Sequence, residues 1–216
     1  MEQLGIRHLC DKIIMNKYHI FYEKYFFDFK DKNINILEIG VGDKKSMNMF
    51  LEYFPKCKYY GIDISKDNEK SERYEIIKGD QNDINFLNKI IDNTPSFDII
   101  IDDGSHFSKH QLTSFNFLFK KLNKNGIYII ESIETSYWKN NYELNGNIIN
   151  LGVQSTDNIV SIFSKLVHYV NLKHIDKYDK KMLDNNNTNN YYFHNYIIDN
   201  IYSISFYPNC IMIIHS

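Results

Sequence analysis

An α/β fold built on a doubly wound, mostly parallel sheet that closes with a C-terminal antiparallel hairpin is what this 216-residue chain predicts. Three observations carry the prediction. Short apolar runs alternate with longer amphipathic stretches, the pattern of parallel strands joined by crossover helices. The runs are apolar almost throughout, as strands covered on both faces are. Near the end, two strand-like runs are separated only by Tyr207-Pro208-Asn209, which is hairpin spacing.

Taken in order, residues 1–33 are expected to form helices over the ligand edge of the sheet, and 34–216 the core of the same single domain. Asn35 to Ile39, Lys58 to Ile62, Tyr74 to Ile77, Asp98 to Asp102 and Ile127 to Ile130 read as buried strands. Between them, Ser46 to Tyr53, Ile84 to Asp92 and Gln111 to Leu122 carry helical spacing. In the last of these, Phe115, Leu118, Phe119 and Leu122 share one face, with Lys120, Lys121 and Lys124 on the solvent side. Asn125-Gly126 then reads as the helix stop. Asn158 to Val170 is a further predicted helix, and Ile201 to Phe206 with Cys210 to His215 form the hairpin. The tract DNNNTNN, 184–190, reads as a polar surface loop.

Bulk properties narrow the partners. A net charge of −2 and a pI near 6.4 give no electrostatic footprint for nucleic acid, so a small or neutral molecule is expected. The three cysteines, Cys10, Cys57 and Cys210, lack C-x-x-C spacing, which argues against a disulfide framework or zinc ribbon and fits a reducing compartment. The opening MEQLGIRHLCDK has no apolar signal region, and no stretch approaches the ~18 apolar residues of a membrane span. A cytoplasmic protein without membrane partners is the expectation.

Phe97 to Trp138 is the most informative stretch. A buried strand delivers Asp102 and Asp103 to its end, a turn places His106 three residues beyond, and a second strand ends on Glu131. Ligands of α/β sheets bind outside the carboxyl ends of strands, so these groups form a candidate reactive cluster. As alternatives, Asp102 and Asp103 serve as helix caps, and Asp63 as an ordinary turn acid. The His106 and His110 pair lacks the glutamate of the zinc motif H-E-x-x-H, and His110 is expected at the surface or behind the site.

The cofactor is legible in LEIGVGDKKS, 37–46. Gly40 and Gly42 allow a tight turn, but Lys45 stands where a dinucleotide fingerprint needs a third glycine, and no G-K-[ST] follows. A ligand without phosphates is favoured. Glu38 is placed to meet its cationic end, Asp63 its ribose hydroxyls, and Asp80 with Gln81 an adenine edge. This set fits S-adenosylmethionine better than NAD or ATP.

The segments LEIGVG, YGIDIS and GDQND resemble the motifs of class I S-adenosylmethionine-dependent methyltransferases, whose core is Rossmann-like. IDDGSH, the histidine pair and TSYW resemble a narrower group, the metal-dependent sugar O-methyltransferases of macrolide biosynthesis, of the mycinamicin and tylosin type. The resemblance runs from about Asp11 to the final hairpin. It implies a carbohydrate or other small-molecule acceptor and a homo-oligomer. Glu38, Gly40, Gly42, Asp63, Asp80, Gln81 and Asp102 are the implied cofactor residues and His106 the general base. Asp103, Glu131 and Ser132 fall at the Mg²⁺ positions. The relatives also place an Asp-Lys pair and aromatic residues where this chain has Asp11, Lys12, Tyr18 and Tyr22.

Two departures stand out. The relatives carry a second acid directly after the glutamate, where this chain has Ser132; Glu134 is the nearest acid able to compensate. The loop after the glycine turn is also short, reaching Ser46 at once. Methyl transfer to a sugar hydroxyl needs a base for the proton, for which histidine suits, and a divalent ion would acidify the hydroxyl. Loss of one acid leaves three readings: a Mg²⁺-assisted sugar O-methyltransferase, a degenerate cofactor-binding relative serving as a binding or assembly module, and a metal-independent small-molecule O-methyltransferase.

Overall fold

The apolar run at Asn35–Ile39 forms β1, in the middle of an eight-stranded sheet in the computed structural model of the chain. The structure describes residues 1–144, 146–179 and 193–216; the 184–190 tract lies outside them. The other strands of the sheet are β2 (Lys58–Asp63), β3 (Glu69–Lys70), β4 (Tyr74–Lys78), β5 (Phe97–Asp102), β6 (Leu122–Glu131), and, after a separate two-stranded hairpin β7 (Tyr142–Leu144) and β8 (Asn147–Ile149), β9 (Ile201–Tyr207) and β10 (Cys210–His215). Their spatial order is β3-β4-β2-β1-β5-β6-β10-β9. β4, β2, β1, β5 and β6 run parallel, whereas β3, β10 and β9 pair antiparallel.

The chain moves outward from β1 through β2 to β4, then returns to place β5 on the other side of β1. Strand order therefore reverses at β1 and β5, and the crevice at their carboxyl ends is where such sheets bind ligands. The β9–β10 turn is Pro208–Asn209, with Asn209 at φ +56°.

Helices cover both faces. On one lie α1 (Glu2–Arg7), α2 (Asp11–Ile14), α3 (His19–Phe26) and α4 (Lys45–Tyr53), packed through Ile13, Tyr22, Phe26 and Phe50 onto Ile36, Ile101 and Ile129. On the other lie α5 (Ile84–Asn93), α6 (Ser108–Leu118), α7 (Ile159–Ser164) and α8 (Leu166–Val170), packed onto Leu37, Ile100, Ile130 and Ile211. Side chains alternate across a strand. The register sets Glu38 beside Ile101, and Ile101 beside Ile129. Glu38 and Glu131 thus project onto the face of the N-terminal helices, and Asp102 onto the opposite one.

Two predicted elements differ from the structure. The helix expected through Leu122 ends at Leu118 with a 3₁₀ turn at Phe119–Lys121, and β6 begins at Leu122. Asn125-Gly126 stops no helix. It sits in an excursion of β6, where pairing with β5 jumps from Phe97↔Leu122 to Ile99↔Ile127, and Asn125 takes φ +61°. Lys121 turns back to donate to the carbonyls of Ile91 and Thr94, at 2.9 and 2.6 Å, where α5 ends. The helix expected over 158–170 divides at Lys165 into α7 and α8. Its N-terminus is capped as such sequences are, with Asn158 accepting from the Ser161 amide at 2.7 Å.

Candidate active site

The glycine turn after β1 is set by close backbone approach. Gly40 takes φ +87°, and a Cβ there would fall 2.1 Å from the Asp103 carbonyl oxygen. Only glycine lets the β1 and β5 ends lie this close. Gly40 N donates to Ile62 O at 2.8 Å and Asp103 N to Ile39 O at 2.9 Å, so the two loops leave the sheet side by side. Gly42, at φ +53°, donates its amide to Asp63 Oδ2 at 3.0 Å.

A cleft of ≈ 460 Å³ opens beside this turn, lined by Gly40, Asp63, Ile64, Asp80, Phe107 and His110 among others. Among the described residues no lysine or arginine lines it, which disfavours a phosphate-bearing ligand. Its donor set fits S-adenosylmethionine: a glycine cradle, two acids at strand ends, and the exposed side chain of Ile64 for an apolar ring. Another groove, of ≈ 440 Å³, lies where the β3–β4 edge meets α5, away from the strand ends. The first cleft lies at the strand ends, where this topology binds ligands.

The expected cofactor residues separate into two groups. Asp63 and Asp80 border the cleft. Asp63 is also a turn acid: Oδ1 accepts from Ser65 N, Ser65 Oγ and Lys66 N at 2.8, 2.7 and 3.2 Å. Burial opposes its ionisation, but these bonds prevail and hold the carboxyl below its usual range. Gln81 lines the cleft as well, and it is bonded to Asp102, which does not line it. Gln81 Nε2 donates to both Asp102 oxygens at 3.0 and 3.1 Å, and Gln81 Oε1 accepts from Ser105 N at 2.6 Å. Asp102 is fully buried under α6 with Ser114 also donating to it, and burial pushes its carboxyl up. The pair shapes the 104–105 loop at the cleft wall.

His110, expected outside the site, borders the same cleft with Nδ1 2.9 Å from Ser105 Oγ. Ile64 and Phe107 also went unnoticed in the sequence. Their signal was position, one residue after a strand-end acid and one after His106.

A second cluster of acids, with His106, lies on the N-terminal-helix side. His106 takes φ +63°, a conformation costly for a non-glycine residue, and Thr135 Oγ1 holds its carbonyl at 2.6 Å. Its Nε2 lies 3.4 Å from Asp103 Oδ1 and its Nδ1 3.5 Å from Glu134 Oε1. Glu134 therefore faces the histidine. Burial pulls the imidazolium down, but Asp103 and Glu134 outweigh it and raise the His106 pKa to about 9.

Asp103 and Glu131 meet around Lys12, whose Nζ lies 2.5 Å from Asp103 Oδ2, 2.6 Å from Glu131 Oε2 and 3.3 Å from Glu38 Oε1. Tyr22 donates to Glu131 Oε1, and Ser132 donates to Asp103 Oδ1 at 2.8 Å. Glu38, fully buried, also accepts from Tyr59 and from Ser46 at 2.8 Å. Burial disfavours ionising Asp103, yet Lys12 and His106 hold its carboxyl well below the usual range. Burial likewise opposes the Lys12 charge, and Asp103, Glu131 and Glu38 reverse that, holding the ammonium well above the lysine range.

This donor set does not fit a resident Mg²⁺. The ion asks for about six oxygens near 2.1 Å. Here both oxygens of Asp103 and both of Glu131 already face protein donors, and Ser132 acts as a donor to Asp103. Among the described residues no group of three or more His, Cys, Asp or Glu is arranged to hold a metal.

Comparison with known proteins points to the same cofactor. A family model described as a methyltransferase domain matches residues 30–195. The chain is 38% identical over 143 residues to the 8-demethyl-8-α-L-rhamnosyl tetracenomycin-C 2′-O-methyltransferase of Streptomyces olivaceus, covering 62% of this chain and 38% of that protein. It is 37% identical over 147 residues to the mycinamicin VI 2″-O-methyltransferase of Micromonospora griseorubida, covering 64% and 37%. Among solved structures, MycE methyltransferase in complex with Mg, SAH and mycinamycin VI superposes with a TM-score of 0.79 at 27% identity, covering 98% of this chain and 53% of that one. A second MycE structure, with Mg and SAH, gives 0.82 at 26% identity, covering 100% and 53%. The chain thus spans about two-fifths of the length of these curated relatives and about half of the MycE chain. Among the described residues no helix is long and apolar enough to cross a membrane.

Proposed function

The chain belongs to the methyltransferase-domain family, and from that premise we propose that it transfers the S-adenosylmethionine methyl group to a hydroxyl of a sugar or glycosylated small molecule, with His106 as the base. One observation carries the reading: a phosphate-averse cleft at the β1–β5 crevice opens next to a strained histidine paired with two carboxylates. The names of the relatives, acting on a rhamnosyl tetracenomycin and on mycinamicin VI, support a glycosylated acceptor. A carbohydrate acceptor, not nucleic acid, also suits the net charge of −2.

When bound, S-adenosylmethionine supplies an electrophilic methyl carbon. In this chain Gly40 admits the ligand against the strand ends, and Asp63 with Asp80 presents carboxylates along the cleft. The negative charge of the strand-end acids suits a cationic ligand. His106 takes the acceptor proton as the oxygen–carbon bond forms and the sulfur keeps the electron pair of its broken bond. An acceptor hydroxyl entering on the Asp103 side would release Nε2 for that role.

Calorimetric titration of S-adenosylhomocysteine tests the cofactor half directly, with one site per chain as the expected result. Absence of binding would end the methyltransferase reading. With an acceptor in hand, the pH profile tests the base. A base works when neutral, and a pKa of about 9 keeps His106 protonated below that pH. The rate constant kcat/KM should therefore rise about tenfold per pH unit and level near pH 9, since it reports the free enzyme. A profile already flat above pH 6.5 would show that His106 is not the group that titrates.

A further inference from the structure

The two edges of the eight-stranded sheet are built differently. One is β3, two residues long and charged, Glu69–Lys70, the kind of short edge that resists pairing with another chain. The other is β9, Ile201–Tyr207, without a charge or a proline. Pairing with β10 uses every second N–H and C=O of an antiparallel strand, so the alternate ones face outward. Among the described residues no other strand pairs with this edge. Where a protected edge would carry lysines, this one carries Tyr202 and Phe206, 69% and 44% exposed.

The sequence of β9 also indicates what covers it. Tyr202-Ser203-Ile204-Ser205-Phe206 runs aromatic, serine, isoleucine, serine, aromatic, and reads alike in both directions. Laid antiparallel against itself about a twofold axis at Ile204, it sets Tyr202 opposite Phe206, Ser203 opposite Ser205, and Ile204 opposite its own copy. Aromatic pairs and hydroxyl pairs directly opposite each other stabilise such a ladder, and no charge opposes it. Self-complementarity of this kind is what a twofold interface requires.

We propose that β9 is a dimerisation edge: two copies of this chain join antiparallel through Tyr202–Phe206, about a twofold axis at Ile204, and their sheets become one. The edge is formed before the partner arrives. β10 holds it from inside, and at its end Tyr207 stacks on Phe21 at 4.4 Å with its hydroxyl 2.8 Å from that of Tyr25. Pairing therefore orders little new structure. β10 separates β9 from β6, so the proposal stands apart from the cofactor cleft and from the reading of His106.

Sedimentation velocity on the full chain tests the proposal. At about 100 μM the parent should sediment as a species of twice the 25.8 kDa chain mass. Two double variants then test the register. Tyr202→Lys with Phe206→Lys sets like charges opposite each other and should weaken the dimer about 100-fold or more. Tyr202→Glu with Phe206→Lys sets opposite charges there and should bind at least about tenfold tighter than the two-lysine variant. A monomeric parent would overturn the proposal, as would a two-lysine variant that dimerises like the parent, or equal affinity in the two variants. Hydrogen exchange on the parent needs no variant to fold. The outward amides of β9 should be protected at about 100 μM and lose that protection at about 1 μM. Protection that does not change with concentration would mean that the chain covers its own edge, which would also overturn the proposal.

Discussion

Replacing His106 with asparagine should lower kcat by about 10²–10⁴-fold, the range that a positioned general base contributes, while S-adenosylhomocysteine affinity changes less than threefold. Asparagine is chosen because His106 sits at φ +63°, where asparagine is far more at home than alanine. The backbone and the Thr135 bond to the 106 carbonyl should therefore persist. His106 is absent from the lining of the cofactor cleft, so ligand affinity separates loss of the base from loss of the fold. His106→Ala loses the base as well but adds backbone strain, and its turnover should be no higher. An asparagine variant as active as the parent would mean that another group, or water, takes the acceptor proton.

Much of this site could be read from strand ends. β1, β5 and β6 carry apolar runs with acids at or near their ends, so Asp103 and Glu131 were legible as a pair, whereas Glu38 read as a cofactor acid and instead joins them around Lys12. Their common face follows from the register, which places Glu38, Ile101 and Ile129 in one row. Adjacent residues point to opposite faces, so Asp102 had to turn away from Asp103 once the register was known. A single sequence lacks that register, which is why Asp102 and Asp103 read as neighbours at one site.

Lys12 was harder. Its partners lie 91 and 119 residues away, and no local rule links a helical lysine to a distant strand end. The available signal was its company: Cys10 and Ile13 beside it are buried, so a lysine between them occupies an apolar face and requires a charge partner. Asn125-Gly126 misled for a different reason. Both residues tolerate positive φ, and the same chemistry serves a helix end or a loop thrown out of a strand. The β7–β8 hairpin escaped notice despite the Asn-Gly dipeptide at 145–146, a hairpin signal, because only three residues pair on each side.

Buried charge also explains why the N-terminal helices belong to the site. Removing Lys12 leaves Glu38 and Glu131 fully buried without their cation, and breaking a buried pair costs about 3–5 kcal/mol. Tyr22 from α3 and Lys12 from α2 converge on Glu131, so those helices are tied to the sheet through a strand-end acid of the candidate site.

Gly40→Ala should have the largest effect on stability, and Gly42→Ala provides its control. At Gly40 the added Cβ meets Asp103 O at 2.1 Å, Asp103 C at 2.7 Å and Gly104 Cα at 2.9 Å, all backbone atoms with no rotamer to yield. The φ of +87° adds strain of about 1–3 kcal/mol. Separating the loops would weaken the Gly40–Ile62 and Asp103–Ile39 hydrogen bonds, at about 1 kcal/mol each. Together these give about 3–5 kcal/mol, or a fall in Tm of roughly 10 °C or more for a chain of this length. Displacement of Asp103 would also shift Lys12 and His106, so turnover should vanish along with cofactor binding. At Gly42 a Cβ meets nothing within 4 Å, and φ +53° is a left-handed conformation that alanine reaches for about 1–2 kcal/mol. Its Tm should fall by only a few degrees, with S-adenosylhomocysteine still bound. Thermal unfolding and calorimetry on the two variants decide the matter, and equal losses in both would mean that the turn, not the β1–β5 approach, sets the site.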